Sequence, residues 1–139
     1  MTSGDIDVLI SEVGPRDGLQ NTKAFMPTEY KKRWISAAAE AGLREIEVCS
    51  FVPPKLIPQM VDAAEVVAHA LTIPGLNVAA LAPNFRGAQG AMDAGVHKLT
   101  LTISVSKSHS LSNVRMTPRS EEHTSELQSH LNLVCRLLL

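Results

Sequence analysis

The feature that most constrains the fold is a regular alternation of short apolar runs with longer helical patterns, separated by glycine and proline. Strand-like runs cover residues 8–10, 44–48, 76–81 and 98–105, and helical patterns cover residues 30–41, 60–71 and 86–94. Thr28 is a predicted N-cap of the first helix, and Gly42 and Gly95 end the first and third helices. Strands that alternate with helices predict βα units and a parallel sheet in an α/β fold.

Two neighbouring charges, Arg16 and Asp17, follow the first apolar run within the sequence Gly-Pro-Arg-Asp-Gly. Asp17 offers hard oxygen donors suited to Mg²⁺ or Mn²⁺, and the planar fork of Arg16 suits a carboxylate, a thioester oxygen or an enolate. We therefore expect chemistry on an anion just past the end of a strand. A strand-end salt bridge, or an aspartate that caps a turn, explains the same two residues equally well.

The composition excludes several other classes of protein. The chain has 139 residues, 45% of them hydrophobic, and a formal net charge of -1. No basic excess indicates nucleic acid, and no apolar run is long enough to cross a membrane. Cys49 and Cys135 lack the spacing of metal ligands or of a disulfide framework. Residues 1–5 resemble neither a signal nor a transit peptide, so we expect a cytoplasmic protein, or a mitochondrial one whose leader is missing.

Four longer segments resemble one enzyme family. They are Val-Gly-Pro-Arg-Asp-Gly-Leu-Gln-Asn at 13–21, Ala-Glu-Ala-Gly-Leu at 39–43, Ile-Glu-Val-Cys-Ser-Phe-Val at 46–52 and Pro-Gln-Met at 58–60. From about residue 7 to residue 118 the chain resembles the hydroxymethylglutaryl-CoA lyases, which are metal-dependent TIM-barrel enzymes. A full barrel takes about 250 residues. The resemblance therefore implies the N-terminal half of a TIM (β/α)8 barrel, truncated after about four strands.

The resemblance also implies an activity and four site residues. Lyases of this family cleave 3-hydroxy-3-methylglutaryl-CoA to acetyl-CoA and acetoacetate with a divalent cation, Mg²⁺ or Mn²⁺. By analogy Asp17 is a metal ligand, and Arg16 binds substrate and stabilises the enolate. Gln20 lines the substrate pocket or stabilises its turn, and Glu47 orients Arg16 or balances its charge. The implied partner is a small acyl-CoA molecule, with neither nucleic acid nor membrane, and the intact protein is expected to be a homodimer.

Other parts of the family's machinery match no position in this sequence. A His-x-His pair, an asparagine ligand and a mobile catalytic cysteine are implied, but Cys49 is on the wrong strand and Cys135 is near the end of the chain. We expect His97 to cap the fourth strand or face solvent. His109 lies in a serine-rich loop that could touch substrate. The 139-residue chain by itself is therefore expected to be inactive.

The last segment departs from the family pattern. Residues 119–130 resemble a sequencing-library adapter translated in one frame, so we expect a partial lyase domain at 1–118 and a non-native tail at 119–139. An apolar stripe at helical spacing in the tail, Leu127, Leu131, Val134 and Leu138, is the competing interpretation.

Three alternatives to the lyase remain at this stage. The first is a Claisen-type synthase on the same scaffold, similar to 2-isopropylmalate or homocitrate synthase, and the second is a non-catalytic fragment. The third, a flavodoxin-like binding domain, lacks a glycine-rich phosphate loop after its first strand. Because a half barrel leaves strand edges and apolar faces open, we also expect the isolated chain to aggregate.

Overall fold

The computed structural model describes residues 8–102 and, beyond them, Ser106, Ser108 and Leu111. Four parallel strands form one sheet in the order β1-β2-β3-β4. The strands are β1 (Ser11–Glu12), β2 (Glu45–Ser50), β3 (Asn77–Leu81) and β4 (Lys98–Thr100). Three helices connect them: α1 (Thr28–Glu40), α2 (Ala63–Ala70) and α3 (Phe85–Asp93). A π-helical turn at Gly14–Gly18 follows β1, and a 3-10 turn at Pro58–Met60 precedes α2.

The sheet order distinguishes between the two predicted α/β architectures. Strands that are consecutive in sequence are neighbours throughout, which is how a (β/α) barrel is built. A flavodoxin-like sheet has its first two strands in the reverse order. The parallel α/β sheet is therefore confirmed, and the flavodoxin-like alternative is wrong.

The main core lies between the sheet and the first two helices. Ile35 of α1 and Val67 of α2 are fully buried against Ile46 and Val48 of β2 and Val78 of β3. A smaller apolar cluster beneath α3 consists of Ala82, Ala88, Ala91 and Leu99. Side chains on a strand alternate between its two faces, so Ile46 and Val48 of β2 and Val78 of β3 share this helix-covered face.

The other face of the sheet is polar. Glu45 accepts hydrogen bonds from Asn77 Nδ2 at 2.6 Å, from Lys98 Nζ at 2.6 Å and from the Ser11 side chain. The buried Glu45 carboxylate thus connects side chains from all four strands. Glu47, two residues further along β2, lies on the same face.

Two local predictions were wrong. Residues 8–10 do not form a buried strand: β1 begins at Ser11, and Val8, Leu9 and Ile10 are 75%, 51% and 67% exposed. In the described part of the chain, β1 has a neighbour on one side only, so nothing packs over this apolar run. Thr28 is not the N-cap, because Pro27 holds that position and the Thr28 hydroxyl donates to Asp62 Oδ2 at 2.7 Å.

The other predicted elements are present with shifted ends. The predicted helix at 60–71 divides into the 3-10 turn and α2, and β4 ends at Thr100. His109 and the predicted tail at 119–139 lie outside the described residues. Of the helices that the structure describes, none has the length and apolarity needed to span a bilayer.

Candidate active site

The turn after β1 is held against α1 by close packing at Gly14. The Gly14 backbone N–H donates to Glu12 Oε1 at 2.6 Å. A Cβ atom at this position would lie 2.7 Å from that oxygen and 2.8 Å from Trp34 Cζ2. Only glycine fits without displacement of the turn, and the turn carries Arg16 and Asp17 directly after the strand, as predicted.

Arg16 is fixed by a buried carboxylate on the neighbouring strand. Its Nε donates to Glu47 Oε2 at 3.1 Å and its Nη2 donates to the same oxygen at 2.8 Å. Nη1 donates to Asp17 Oδ1 at 2.8 Å. The side chains of Arg16 and Glu47 are 15% and 4% exposed, so solvent screens this pair little. These three hydrogen bonds leave further guanidinium N–H groups for a ligand.

The second oxygen of Glu47 has no hydrogen-bond partner within the described part of the chain. Glu47 Oε1 is buried and, among the described residues, accepts no hydrogen bond. A buried carboxylate oxygen without a donor is costly. Moreover, two carboxylates surround one guanidinium, so Arg16, Asp17 and Glu47 together carry a net negative charge. Both features favour a cation or a hydroxyl donor at this position.

Gln20 and Ser50 extend the site along β2. Ser50 Oγ donates to Gln20 Oε1 at 3.4 Å, which is a long hydrogen bond. The register of β2 against β3 shifts between Glu47 and Cys49, and this bulge inserts one residue. Without it Glu47 and Ser50, three positions apart, would lie on opposite faces of the sheet. With it both face the side on which the β1 turn lies.

The described residues fit one ligand of a divalent cation, but not a whole site. Asp17 has the right oxygen donors and is 53% exposed, although one oxygen already accepts from Arg16. Within residues 8–102, no group of three or more His, Cys, Asp or Glu side chains could hold a metal ion. The further ligands that a cation needs would come from elsewhere.

Cys49 and His97 are placed away from this cluster, as predicted. Burial raises the pKa of the Cys49 thiol, with the charges of Asp62 and Glu47 as lesser causes, and its Sγ lies 3.8 Å from Ala63 O on the helix side. It is therefore an inert core thiol. His97 is exposed, and its Nδ1 accepts from the Val78 N–H at 3.0 Å, which caps the approach to β4.

A cavity of about 400 Å³ adjoins the site at Ser50. Its walls include Met60 from the 3-10 turn and Asn84, Arg86 and Gly87 from the start of α3. Arg16 and Glu47 do not line it, so the cavity is a neighbour of the charged cluster and does not enclose it.

Sequence reasoning missed a second buried charge pair near the site. Lys31 is 3% exposed, and its Nζ lies 2.7 Å from Asp62 Oδ1. Its position carried a signal: Lys31, Ile35 and Ala38 recur at helical spacing on the buried face of α1. A lysine in register with core residues must be neutralised by a partner.

Comparison with known proteins gives one consistent result. The HMGL-like family profile matches residues 7–135. The mitochondrial hydroxymethylglutaryl-CoA lyase of Arabidopsis thaliana is 44% identical over 110 residues, which cover 79% of this chain and 24% of that protein. A cytoplasmic 3-hydroxy-3-methylglutaryl-CoA lyase of Rattus norvegicus is 38% identical over 133 residues, 93% of this chain and 39% of that one. The chain thus spans 24% to 39% of the length of these relatives.

Solved structures of lyases contain the same fold. The HMG-CoA lyase of Bacillus subtilis superposes with a TM-score of 0.84 at 37% identity, covering 93% of this chain and 45% of that one. An HMG-CoA lyase of Acenitobacter baumannii, solved with coenzyme A and 3-methylmalate, gives a TM-score of 0.82 at 35% identity over 88% of this chain and 41% of that one. The family match continues past residue 118, and the predicted boundary there remains a prediction.

Proposed function

The chain belongs to the HMGL-like family, and from this premise we propose that the protein it forms part of is a carbon–carbon lyase. Its substrate would be 3-hydroxy-3-methylglutaryl-CoA, and its products acetyl-CoA and acetoacetate. The relatives from Arabidopsis thaliana and Rattus norvegicus are named as lyases of this substrate. The fold is correspondingly the N-terminal part of their barrel.

One observation carries the proposal: a buried glutamate fixes an arginine that still has N–H groups to offer. Glu47 takes two hydrogen bonds from Arg16 on one oxygen, which sets the plane of the guanidinium. An arginine held in advance needs little reorganisation when negative charge develops on a ligand. This is the property that a reaction through an enolate requires.

The reaction moves negative charge from one oxygen to another. A base takes the proton of the C3 hydroxyl, and the C2–C3 bond breaks as the C3 alkoxide becomes the ketone of acetoacetate. The electron pair of that bond moves into the thioester and forms the enolate of acetyl-CoA. The free N–H groups of Arg16 would donate to that enolate oxygen, while Glu47 keeps the guanidinium in place. Protonation of the enolate carbon then completes acetyl-CoA.

Asp17 and Gln20 would hold the reactants. A divalent cation bound through Asp17 would supply a positive charge that makes the C3 hydroxyl more acidic. Gln20, bonded to Ser50 at the rim of the cavity, would contact the acyl group. A coenzyme A complex of an A. baumannii lyase supports an acyl-CoA ligand here as well.

Two further parts of the proposal concern the molecule as a whole. Among the described residues, Asp17 is the one proposed cation ligand, so the 139-residue chain alone should lack turnover. The intact protein is proposed to be a homodimer in the cytoplasm, with the mitochondrial matrix as the alternative, since relatives of both locations match.

The test uses the intact protein that contains this sequence. Incubation with 3-hydroxy-3-methylglutaryl-CoA and Mg²⁺ should release acetoacetate, and EDTA should abolish the release. A control reaction supplies acetyl-CoA with a 2-keto acid and monitors free CoA. If the control releases CoA and the first reaction yields no acetoacetate, the protein is a Claisen-type synthase and the lyase assignment is wrong.

A further inference from the structure

We propose that Lys31 is a positioning residue, which sets the location of Gln20 by clamping the loop after β1 to the loop after β2. The inference rests on the proposed function, because it assigns Gln20 a substrate to contact. Lys31 itself lies on α1 and touches none of the reacting groups.

The clamp begins with the buried ammonium group. Lys31 Nζ donates to Asp62 Oδ1 at 2.7 Å and to the backbone carbonyl of Gln59. Asp62 also accepts from the Thr28 hydroxyl at 2.7 Å, and the Phe25 ring lies 5.3 Å from Nζ. The end of the loop after β2, from Gln59 to Asp62, is thus tied to the start of α1.

Gln59 passes this constraint to the loop that carries Gln20. Its Nε2 donates to the backbone carbonyl of Thr22. Thr22 in turn donates to Leu19 O through its N–H at 3.3 Å and through its hydroxyl at 3.2 Å. Since Leu19 and Thr22 form one turn around Gln20, a fixed Gln59 fixes the position of that turn.

Arg16 does not depend on this clamp. It is held by Glu47 on β2, and its turn is closed by the Arg16 N–H to Val13 O hydrogen bond at 3.1 Å. Loss of Lys31 should therefore displace Gln20 and leave Arg16 in place. We therefore predict weaker substrate binding, measured as a higher KM. The turnover of the bound complex, measured as kcat, should stay nearly unchanged.

A buried ion pair is also a poor explanation for stability alone. Apolar side chains of similar volume usually replace such pairs without loss of stability. What they cannot replace is the set of directed hydrogen bonds to Gln59 and Asp62. This difference makes stability and positioning separable by mutation.

The experiment compares Lys31→Met with Lys32→Met in the intact protein. Lys32 is the adjacent residue of α1 and pairs with Glu29 at 2.8 Å and with Glu65 at 2.7 Å, but it contacts neither loop. We expect Lys31→Met to raise the KM for 3-hydroxy-3-methylglutaryl-CoA about tenfold with kcat nearly unchanged. Hydrogen exchange of residues 20–25 should become faster, and Lys32→Met should alter neither property.

A purely structural role gives a different pattern. If Lys31 only stabilised the fold, Lys31→Met would lower kcat through a smaller active fraction and leave KM unchanged, which would overturn the proposal. Because that variant is at risk of unfolding, the double variant Lys31→Met/Asp62→Leu removes both charges. It should recover the unfolding midpoint but keep the high KM and the fast exchange. Recovery of the wild-type KM would overturn the proposal.

Failure of the proposed function is recognised separately. It would appear as a wild-type protein that releases no acetoacetate. Hydrogen exchange of residues 20–25 would then test the clamp without any activity measurement. Unchanged exchange in Lys31→Met would refute the clamp.

Discussion

At the scale of single residues, the site depends on what an arginine can do that a lysine cannot. Arg16 donates from Nε and Nη2 to one oxygen of Glu47 and from Nη1 to Asp17 at the same time. A lysine ammonium carries the same charge but has no planar fork. The arrangement of Glu47 beside Arg16 therefore suits a guanidinium and does not suit an ammonium group.

We expect Arg16→Lys to reduce kcat about a hundredfold, with a smaller effect on KM, because one preorganised donor to the enolate is lost. The measurement is acetoacetate release under saturating substrate and Mg²⁺. Arg33→Lys is the matched control, since Arg33 is exposed and its guanidinium lies 5.6 Å from the Tyr30 ring, away from the site. Nearly full activity in Arg16→Lys would remove Arg16 from the reaction.

The charged core of the site could be predicted from the sequence. Arg16 follows the first strand and Glu47 lies in the second, and parallel neighbours bring the ends of both strands to one edge of the sheet. The family resemblance implied that Glu47 orients Arg16 or balances its charge, and the two side chains are hydrogen-bonded in the structure. The contact of Gln20 with Ser50 was not, because it depends on an extra residue in β2 that no sequence pattern marks.

At the scale of elements, the number, type and order of strands and helices within residues 8–102 followed from hydrophobic periodicity and glycine positions. The left-handed conformation of Gly42, with φ of 102°, shows why the first helix ends where predicted. The strand at 8–10 was misplaced because an apolar run predicts burial only if something covers it. Thr28 was misread as a cap because its hydroxyl has a tertiary partner, Asp62, 34 positions away in sequence.

The turn after β1 provides a test of element packing. Gly14→Ala should destabilise the protein by about 2 kcal/mol and lower activity, because its Cβ would force Glu12 or Trp34 to move. Gly18→Ala, in the same turn, meets no atom within 4 Å and should be neutral. Chemical denaturation and acetoacetate release measure the two effects. Equal behaviour of both variants would show that the tight packing at Gly14 does not matter.

The polar face of the sheet provides a test by pH. Burial opposes ionisation of Glu45, but hydrogen bonds from Lys98, Ser11 and Asn77 outweigh it, so the pKa of this carboxyl lies below its ordinary value of 4.5. A lowered pKa stabilises the fold above that value, and the stabilisation is lost as the pH falls through the folded-state pKa.

We therefore expect Glu45→Gln to cost about 2 kcal/mol at neutral pH, since Lys98 loses its buried partner. The difference from wild type should shrink as the pH falls below 4.5. Unfolding free energies from urea titrations across this range measure it. Glu40→Gln, at an exposed position of α1, should show no difference at any pH. A Glu45→Gln deficit that does not depend on pH would contradict the assignment.

At the scale of the whole molecule, the described residues form a sheet that has not closed. β1 and β4 each pair on one side only within residues 8–102. Open strand edges and apolar surface promote association with other chains. The relatives are more than twice as long, and their additional residues would cover the open strand edges and the apolar surface.

The 139-residue chain, produced alone, should therefore self-associate at micromolar concentration, and static light scattering after gel filtration measures this. Co-expression with the segment that carries the remaining strands of a lyase relative should lower the scattering, because the edges of β1 and β4 and the run Val8, Leu9 and Ile10 become covered. The corresponding half of an unrelated barrel is the control and should have no effect. Lyase turnover should appear only in the matched pair, since the missing cation ligands arrive with the second half. A monomeric chain with cooperative unfolding would instead show that the described sheet buries its own edges.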